Sequence, residues 1–503
     1  MKKKDIRILK KRKQRLNKRI ERRQWSDQSR PMFRAQNIHY EMAERVRAIE
    51  SGGIGAFHLL AKNSGLIEVI NRRVHLLKRH LPYHESDHVL NITYNTLTGG
   101  TCLDDIELRR NDETYMDALG AERIPDPTTA GDFTRRFSEA EVEHLMEAIN
   151  AIRPKLWKKR LRKWERAEAI IDVDGTLAPT TGECKEGMGL SYNGIWGYHP
   201  LMISLANTLE PLYLVNRSGN SVSHQGAVEW IDRAVELVRT SFDGVCLRGD
   251  TDFALTKNFD RWTDDGVRFA FGMDAKQNLV KIAESLDQGC WRELKRREKR
   301  AVSTQRRKCP VNVKERIVVE RCYQNTRLQS EQVAEFSYQP VSCNRSYRLI
   351  VLRKTISVEK GQRLLWDEIR YFFYITNIKG LSPSGVVYFC NDRCNQENLI
   401  EQLKNGLKAM RMPVGDLVSN WAYMVMASLA WILKAWFALM VRYRDRRDEL
   451  LRMEFRRFLN AIIKLPVQII HTGRRIIYRI LGYNEWVKTF LKTFDTIRQL
   501  RLA

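Results

Sequence analysis

The sequence predicts an α/β catalytic core that carries a β-rich insertion and lies between two α-helical regions. Three observations lead to this prediction. Short apolar segments alternate with helical periodicity after residue 166, β-branched and aromatic residues dominate residues 290–385, and helical apolar spacing marks both flanks. With 503 residues and 43% hydrophobic content, the chain can bury one large core or two to three domains.

The chain carries a large excess of positive charge. It contains 86 Lys and Arg residues against 60 Asp and Glu residues, which gives a net charge of +26. Each basic side chain that neutralises a DNA phosphate releases a condensed counterion, so this excess favours a polyanion, most commonly nucleic acid, as the partner. A basic surface that only aids solubility is the alternative interpretation.

Cysteine spacing and hydropathy predict a cytoplasmic protein. The nine cysteines show no paired spacing, which favours reduced thiols over a disulfide framework or a zinc site. The first residues lack the apolar segment of a signal peptide. WAYMVMASLAWILKAWFALM (421–440) is near membrane-spanning length, but it contains Lys434 and is closely followed by four arginines. We therefore predict a buried core helix there, and no membrane contact.

The N-terminal part divides into a basic arm, residues 1–25, and a helical region, residues 26–165. In the arm, 13 of the first 23 residues are Lys or Arg, and its apolar stripe is thin, so we expect a helix only on a partner. In the helical region, DPTTAGDFTRRF (126–137) marks a helix start with Thr128 or Thr129 as the cap. Whether this region binds DNA or only packs is left open by the pattern.

Residues 166–289 read as the first part of the core. The predicted elements are strands at 167–174, 196–207 and 211–219, a helix at 224–242, strands at 244–253 and 267–274, and a helix at 275–286. Three strands followed by a helix, another strand and a helix, with 267–274 as a fifth strand, is the order of the ribonuclease-H-like fold.

The second half of the chain is divided in the same way. The β-rich insertion, residues 290–385, contains strands predicted at RIVVERCYQ, SYRLIVLRKTISV and EIRYFFYITNI. Residues 386–440 form the second part of the core, with a helix at 392–409 before the long apolar helix. Residues 441–503 are predicted to be a basic region of C-terminal helices.

Acidic residues stand at the ends of separate predicted elements. Asp172 and Asp174 end the first core strand, Asp250 ends the fourth, and Glu397 lies on the helix at 392–409. The first and fourth strands are neighbours in the ribonuclease-H-like order, so their ends meet. A two-metal phosphoryl-transfer site needs carboxylates from separate elements that hold two divalent cations about 4 Å apart.

The helix that carries Glu397 also places basic residues on the same face. Arg393, Glu397, Ile400 and Lys404 follow one another at spacings of 4, 3 and 4 residues. Basic side chains on both sides of a single Glu suit a metal ligand with phosphate-binding neighbours. An ordinary ion-paired helix is the alternative interpretation of this pattern.

The stretch DVDGT permits a second chemistry. It resembles the first motif of the haloacid-dehalogenase phosphatases, in which Asp172 would be the nucleophile and Asp174 the general acid. That family also needs a Lys between a later Ser or Thr and an acidic pair, and residues 218–250 contain no Lys. It would also have no use for Glu397 or for the large positive charge.

Taken together, the motifs resemble DDE transposases of bacterial insertion sequences, in the branch with a YREK signature. That signature spaces Arg, three residues, Glu, six residues and Lys, as Arg393, Glu397 and Lys404 do, whereas Cys390 stands where Tyr is expected. The family named IS-thirteen-eighty is resembled by further segments, namely LDDIELRRND, DVDGT, NGIWGYHPLM, NRSGNSVSHQGA, LRGDTDF, YFFYITNI and ENLIEQLKNG.

The resemblance implies a catalytic triad of metal ligands, Asp174, Asp250 and Glu397, with Asp172 as a supporting acid. It implies two Mg²⁺ (or Mn²⁺) ions as cofactors, and double-stranded DNA, as terminal inverted repeats and target, as the partner. It also implies a homodimer in a synaptic complex, associated with the bacterial nucleoid. An inactive DNA-binding copy and a nuclease that does not join DNA remain alternatives.

The resemblance also suggests roles for basic and aromatic residues. Arg393 and Lys404 would hold DNA phosphates near the cut. In relatives, an aromatic residue of the insertion can stack on a flipped base, and Trp291 or Trp366 could do so here, although a core position is the favoured interpretation of each.

Overall fold

A computed structural model describes residues 3–20, 46–182, 184–296, 324–360, 363–473 and 475–502, together with residues 35, 38–41, 44, 317 and 321. Its strands are β1 (Ala48–Ile49), β2 (Glu168–Gly175), β3 (Ala178–Pro179), β4 (Gly189–Leu190), β5 (Trp196–Tyr198), β6 (Leu201–Leu205), β7 (Glu210–Val215), β8 (Gly244–Gly249), β9 (Val267–Met273), β10 (Arg292–Glu293), β11 (Gln324–Tyr338), β12 (Tyr347–Lys360), β13 (Arg363–Thr376), β14 (Val467–Thr472) and β15 (Arg475–Ile480).

Helices surround these strands and form both flanks of the chain. The α-helices span Lys3–Ile20, Ile54–Asn63, Leu66–Arg73, Glu85–Leu97, Ile106–Arg110, Glu113–Leu119, Pro127–Thr134, Glu139–Asn150, Arg153–Arg160, Ala227–Arg239, Phe259–Asp264, Gln277–Ser285, Pro383–Asn391, Cys394–Glu401, Leu417–Leu439, Arg444–Arg452, Phe455–Phe458 and Val487–Arg498.

One mixed sheet of nine strands, in the order β10-β11-β12-β13-β9-β8-β2-β6-β7, forms the centre of the protein. Strand β2 lies between β8, to which it is parallel, and β6, to which it is antiparallel, and β9 continues the parallel part. The predicted succession of strands and helices between residues 166 and 289 is therefore present. One predicted strand, 196–207, is divided at Pro200, which has no N–H to donate, and β5 joins a small separate sheet, β3-β5-β4.

The insertion extends the central sheet instead of forming a separate sheet. Its three long strands, β11, β12 and β13, pair antiparallel with one another, and β13 pairs with β9 only through Phe373–Thr376. Because Phe373 pairs with Met273, the last residue of β9, residues 363–372 project past the carboxyl end of that strand. The strand predicted at 316–324 falls almost entirely outside the described residues. Strand β11 was not predicted, because its first half, QNTRLQSEQ, is polar.

The long apolar helix, Leu417–Leu439, lies in the protein core, as predicted. Among the described residues it is the one helix long and apolar enough to cross a membrane, and that apolar stretch is wholly buried inside the protein. Its single cation, Lys434, donates to the carbonyl oxygen of Leu451 at 2.8 Å and lies 3.6 Å from the centre of the Trp431 ring. Those contacts offset only part of the cost of burial, which lowers the pKa of Lys434 well below its ordinary value.

A buried carboxylate joins the N-terminal helices to the sheet and to the long helix. Glu210, at the start of β7, accepts from Arg153 Nε at 3.1 Å, Trp157 Nε1 at 3.0 Å and Trp436 Nε1 at 2.8 Å. Both Glu210 and Arg153 are fully buried. A buried ion pair of this kind tolerates the loss of neither partner, so the cluster fixes the helical region against the edge strand of the sheet.

The N-terminal predictions need two corrections. Residues Lys3–Ile20 form a helix on the chain itself, where Arg12 donates to the carbonyl oxygens of Ile480 at 3.1 Å and Gly482 at 2.9 Å. The helix that begins at Pro127 is capped by Asp126, not by Thr128 or Thr129, because the Asp126 carboxylate accepts from the Thr129 N–H at 2.8 Å.

The C-terminal region is not wholly helical. Strands β14 and β15 form a hairpin between its helices, and β14 also pairs with β1 near the start of the helical region. β-branched residues on both sides of Thr472 and Gly473, with Gly473 at a φ of 52°, are typical of a hairpin. The many arginines in this segment obscured that pattern in the sequence.

Candidate active site

Two of the predicted site residues lie at the carboxyl ends of adjacent parallel strands. Asp172 of β2 pairs in register with Arg248 of β8, so Asp174 and Asp250 each follow two residues later. Side chains two residues apart on a strand point to the same face of a sheet. One face of the sheet therefore carries Asp172, Asp174, Arg248 and Asp250. Asp174 and Asp250 lie nearest the carboxyl ends of their strands.

Asp172 is occupied by a buried ion pair. Its two carboxylate oxygens accept from Arg248 Nε at 2.6 Å and Nη2 at 2.9 Å, and the side chain is 1% exposed. Arg248 also donates from Nη1 to the carbonyl oxygen of Phe389 at 2.7 Å. A carboxylate held in this way has no access to a substrate phosphoryl group, which argues against the phosphatase chemistry that the DVDGT stretch permits.

Asp174 lies near the carboxyl end of β2 and contacts other residues of the site directly. One oxygen, Oδ1, accepts from the N–H of Gly175 at 2.9 Å, and Oδ2 accepts from Arg393 Nη1 at 2.8 Å. Burial raises the pKa of Asp174 to about 6, and the nearby charge of Asp250 adds to this rise, while Arg393 opposes it. The carboxylate therefore lies where a further positive charge would be favourable.

Asp250 is fixed by the turn that follows β8. Its Oδ1 accepts from the N–H of Asp252 at 3.0 Å, which caps the 3-10 turn Thr251–Phe253. Burial raises the pKa of Asp250, Asp252 adds to the rise and Arg393 opposes it. Two carboxylates with raised pKa values at neighbouring strand ends are typical of a functional site.

The third predicted acid lies on a shorter helix than the sequence indicated. The predicted helix at 392–409 consists of an α-helix, Cys394–Glu401, and a π-helical turn, Gln402–Gly406, with Arg393 as the residue before the helix. Glu397 is 57% exposed and lies 3.5 Å from Arg393, measured from Oε1 to Nη2. Lys404 donates from Nζ to Thr176 Oγ1 at 3.1 Å, just beyond the end of β2. Ile400, predicted to share this face, is buried in the core.

Arg393 is the residue around which the acids gather. Burial alone would lower its pKa, but the charges of Asp174, Asp250 and Glu397 together raise it. Asp174, from a strand end, and Glu397, from a helix, thus flank one guanidinium group, and the charge of Asp250 also acts on it.

The donor set fits a divalent cation of the Mg²⁺ type, which prefers carboxylate oxygens. As the structure stands, Asp174, Asp250 and Glu397 do not all lie within 4.8 Å of one another. Glu397 is largely exposed and Arg393 lies between Asp174 and Glu397, so a cation shared by all three acids would require side chains of the site to rearrange.

Two residues that sequence reasoning set aside or missed also lie beside the site. His199 is 7% exposed, and its Nδ1–H donates to the carbonyl oxygen of Ser221 at 2.7 Å. A Cβ atom at Gly175 would lie 2.9 Å from His199 Nε2 and 3.5 Å from Arg217 Nη2. The motifs GYHP and NRSG, which contain His199 and Arg217, carried this signal, but nothing in their spacing connects them to Asp174.

A separate group of ligand-type side chains lies in the N-terminal helical region. Within the part of the chain that the structure describes, His80, His84 and Glu85 are the three such residues whose ligand atoms all approach within 4.8 Å. Glu85 Oε1 accepts from the N–H groups of Leu76 and Leu77, and His80 Nε2 is hydrogen-bonded to Oε2 at 3.1 Å. These contacts tie the preceding loop to the start of a helix, which is sufficient to explain them.

Comparisons with known proteins identify the family. No curated protein matches the chain in sequence. Among solved structures, the chain is similar to that described as a piggyBac transposase synaptic complex with hairpin DNA, at 10% identity over 82% of each chain and a TM-score of 0.36, a likeness too weak to carry an argument. Residues 46–502 match the family described as transposase DDE domain group 1. Since this match spans most of the 503 residues, the chain belongs to the DDE transposase family.

Proposed function

We propose that this protein is the DNA transposase of an insertion sequence, which binds the terminal inverted repeats, cleaves the element ends and joins the free 3′-hydroxyl to target DNA. The observation that carries the proposal is that Asp174 and Glu397 flank one guanidinium group at the carboxyl end of β2, while Asp250 follows the neighbouring parallel strand β8. DDE transposase domains typically use divalent metal ions, and this membership supports a metal-dependent enzyme that cleaves and joins DNA.

In this proposal the three carboxylates hold two Mg²⁺ (or Mn²⁺) ions. When bound, such ions lower the pKa of the attacking water or hydroxyl and stabilise the charge on the leaving oxygen. The chain supplies the positions: β2 and β8 fix the backbones of Asp174 and Asp250, and the Cys394–Glu401 helix carries Glu397 above them. Cleavage and joining are both in-line displacements at phosphorus, so one site serves both steps.

The basic residues of the YREK-like spacing are proposed to contact DNA phosphates. Lys404 Nζ is held at the mouth of the site by Thr176, so its charge can face a strand that enters over the end of β2. A phosphate beside the site would compete with Asp174 for the Arg393 guanidinium. Asp172 takes the role of a supporting acid that keeps Arg248, and with it the β2–β8 pair, in place.

The insertion is proposed to guide DNA to the site. Residues 363–372 of β13 project past the strand end that carries the acids, and alternation along β13 places Trp366 on the same face of the sheet as Asp174. Trp366 is 53% exposed, whereas Trp291 is 8% exposed and lies under the guanidinium of Arg353, 4.0 Å from its ring centre. Trp366 is therefore the better candidate for stacking on a base.

The N-terminal regions are proposed to bind the inverted repeats. The basic helix Lys3–Ile20 presents a row of exposed Lys and Arg side chains, which suits contact with DNA phosphates. We further propose that two copies of the chain form the synaptic complex, one for each element end.

The decisive experiment is a cleavage and strand-transfer reaction on DNA that carries the repeats bracketing the coding sequence, with Mg²⁺ present. Asp174→Asn, Asp250→Asn and Glu397→Gln should each abolish both products. Glu401→Gln is the matched control, since Glu401 is an exposed acid on the same helix that accepts from Asn405, and it should react like the wild type. Joining by any of the three site variants would refute the proposed triad.

The same reaction separates the alternatives. Cut ends without joined product would identify a nuclease that does not transfer strands. Binding of the repeats without cutting would identify an inactive DNA-binding copy.

A further inference from the structure

The side chain of Arg393 lies between the acids that are proposed to hold metal. Its Nη1 donates to Asp174 Oδ2 at 2.8 Å, and its Nη2 lies 3.5 Å from Glu397 Oε1. The side chain is 18% exposed, so it is largely enclosed by the site but retains a route to solvent.

A guanidinium group and a divalent cation compete for these oxygens, because both are positively charged. Arg has five N–H donors and no acceptor, so it offers a metal ion nothing but repulsion. Oδ2 of Asp174, one of the oxygens that an ion at this site would use, already accepts from Arg393. With Arg393 between Asp174 and Glu397, the repulsion of its positive charge therefore disfavours cation binding at these acids.

Arg393 is held less firmly than Arg248, which lies beside the same strand ends. Arg248 is anchored by two bonds to Asp172 and one to the carbonyl oxygen of Phe389, and it is 2% exposed. Among the described residues, the hydrogen bond and ion pairs of the Arg393 side chain are made with the site acids Asp174 and Glu397. Arg393 can therefore exchange one set of anionic oxygens for another.

We propose that Arg393 couples DNA binding to metal binding: in the free protein it occupies the acids and weakens cation binding, and a DNA phosphate draws it away and opens the site. This inference rests on the proposed function, because it takes Asp174 and Glu397 as metal ligands. Phosphate oxygens suit the planar fork of Arg as well as carboxylates do. By linkage, bound cation then strengthens DNA binding by the same factor as DNA strengthens cation binding.

The coupling favours metal loading of the DNA-bound protein over the free protein. A free transposase with a filled metal site would be ready to hydrolyse any DNA that it met. With Arg393 between the acids, the site loads metal more readily when a phosphate lies beside it.

The test measures Mn²⁺ binding to the full chain, from the electron paramagnetic resonance signal of free Mn²⁺, with and without a short DNA duplex at saturating concentration. In the absence of DNA, Arg393→Gln should bind Mn²⁺ at least about tenfold more tightly than the wild type, because a positive charge leaves the site. Addition of the duplex should tighten Mn²⁺ binding to the wild type and leave Arg393→Gln nearly unchanged. Arg393→Lys, which keeps the charge, should bind weakly without DNA.

Two further variants make the result unambiguous. Arg261→Gln removes an exposed guanidinium that pairs with Asp232 on another part of the surface, and it should behave like the wild type. Asp174→Asn reports on the metal site itself. Equal Mn²⁺ affinity of the wild type and Arg393→Gln without DNA, together with weakened binding by Asp174→Asn, would overturn the coupling alone. Undiminished binding by Asp174→Asn would instead overturn the proposed metal site.

Discussion

Arg248 donates two parallel hydrogen bonds, at 2.6 and 2.9 Å, to the carboxylate of Asp172 in the interior of the protein. Because of this ion pair, the two aspartates of the DVD segment have different partners. The first aspartate is committed to a neighbouring strand, and the second, Asp174, faces the site.

We expect Asp172→Asn and Arg248→Met each to destabilise the fold by about 3 kcal/mol, because either change leaves a buried partner without its counter-charge. Chemical denaturation of the metal-free protein measures this loss. The double variant Asp172→Leu with Arg248→Met should recover part of it, since no unpaired charge remains. Single variants as stable as the wild type would show that the pair is dispensable.

Asp174 should make stability depend on pH in the metal-free protein. Burial raises its pKa to about 6 from an ordinary value of 3.8, so the folded state holds this proton more tightly than the unfolded state does. The resulting stabilisation is complete below the ordinary value and is lost as the pH rises through about 6. Asp174→Asn cannot ionise, so its stability relative to the wild type should rise between about pH 4 and pH 8, by up to about 3 kcal/mol.

Denaturation in the presence of a chelator, at both pH values, measures this difference. Glu401→Gln, at an exposed position on the Glu397 helix, should show no such trend. A difference between Asp174→Asn and the wild type that is the same at both pH values would contradict the expectation.

The two candidate stacking residues should respond in opposite ways to substitution. Trp291→Ala removes a buried ring and should cost about 3–5 kcal/mol of stability. Trp366→Ala removes an exposed ring, so the unfolding transition should hardly move, while affinity for DNA with an unpaired terminal base falls about tenfold. Unchanged affinity of Trp366→Ala would exclude it as a stacking residue.

Gly175 should tolerate no side chain, although it ends a strand. A Cβ atom there would lie 2.9 Å from His199 Nε2, and the His199 ring is held by its bond to Ser221. Gly175→Ala should therefore displace Asp174 and reduce Mn²⁺ affinity about tenfold, since overpacking at a fixed site costs about 1–3 kcal/mol. The double variant Gly175→Ala with His199→Ala should regain affinity, and failure to do so would mean that the ring is not the obstacle.

The sequence predicted best those features that repeat along one element. The apolar strands β2, β8 and β9 and the long core helix were recognised from hydropathy and periodicity, and acids directly after strands located Asp174 and Asp250. Features that depend on distant partners were not predictable in this way. Nothing in the spacing around Arg248 reveals its pair with Asp172. The residues around Arg393 likewise do not indicate whether its guanidinium pairs with carboxylates of the protein or binds a phosphate.

Local chemistry misled the prediction in two other places. The prediction that Arg393, Glu397 and Lys404 share one helix face assumed a regular α-helix. Residues Gln402–Gly406 instead form a π-helical turn, which has more residues per turn. Strand β11 begins with polar residues because much of its surface is exposed, so hydropathy alone gave no strand signal there.

The unbroken run of β13 from its pairing with β9 out to Trp366 makes the strand a ruler as well as a support. Each residue adds about 3.4 Å of reach, and each step turns the side chain to the opposite side of the sheet. Deleting one residue between Trp366 and Phe373 would bring Trp366 closer to β9 and turn its indole to the face opposite Asp174. Substitutions along the strand would change neither the distance nor the face. A change in the length of this segment would therefore alter the position of Trp366 more than a substitution within it would.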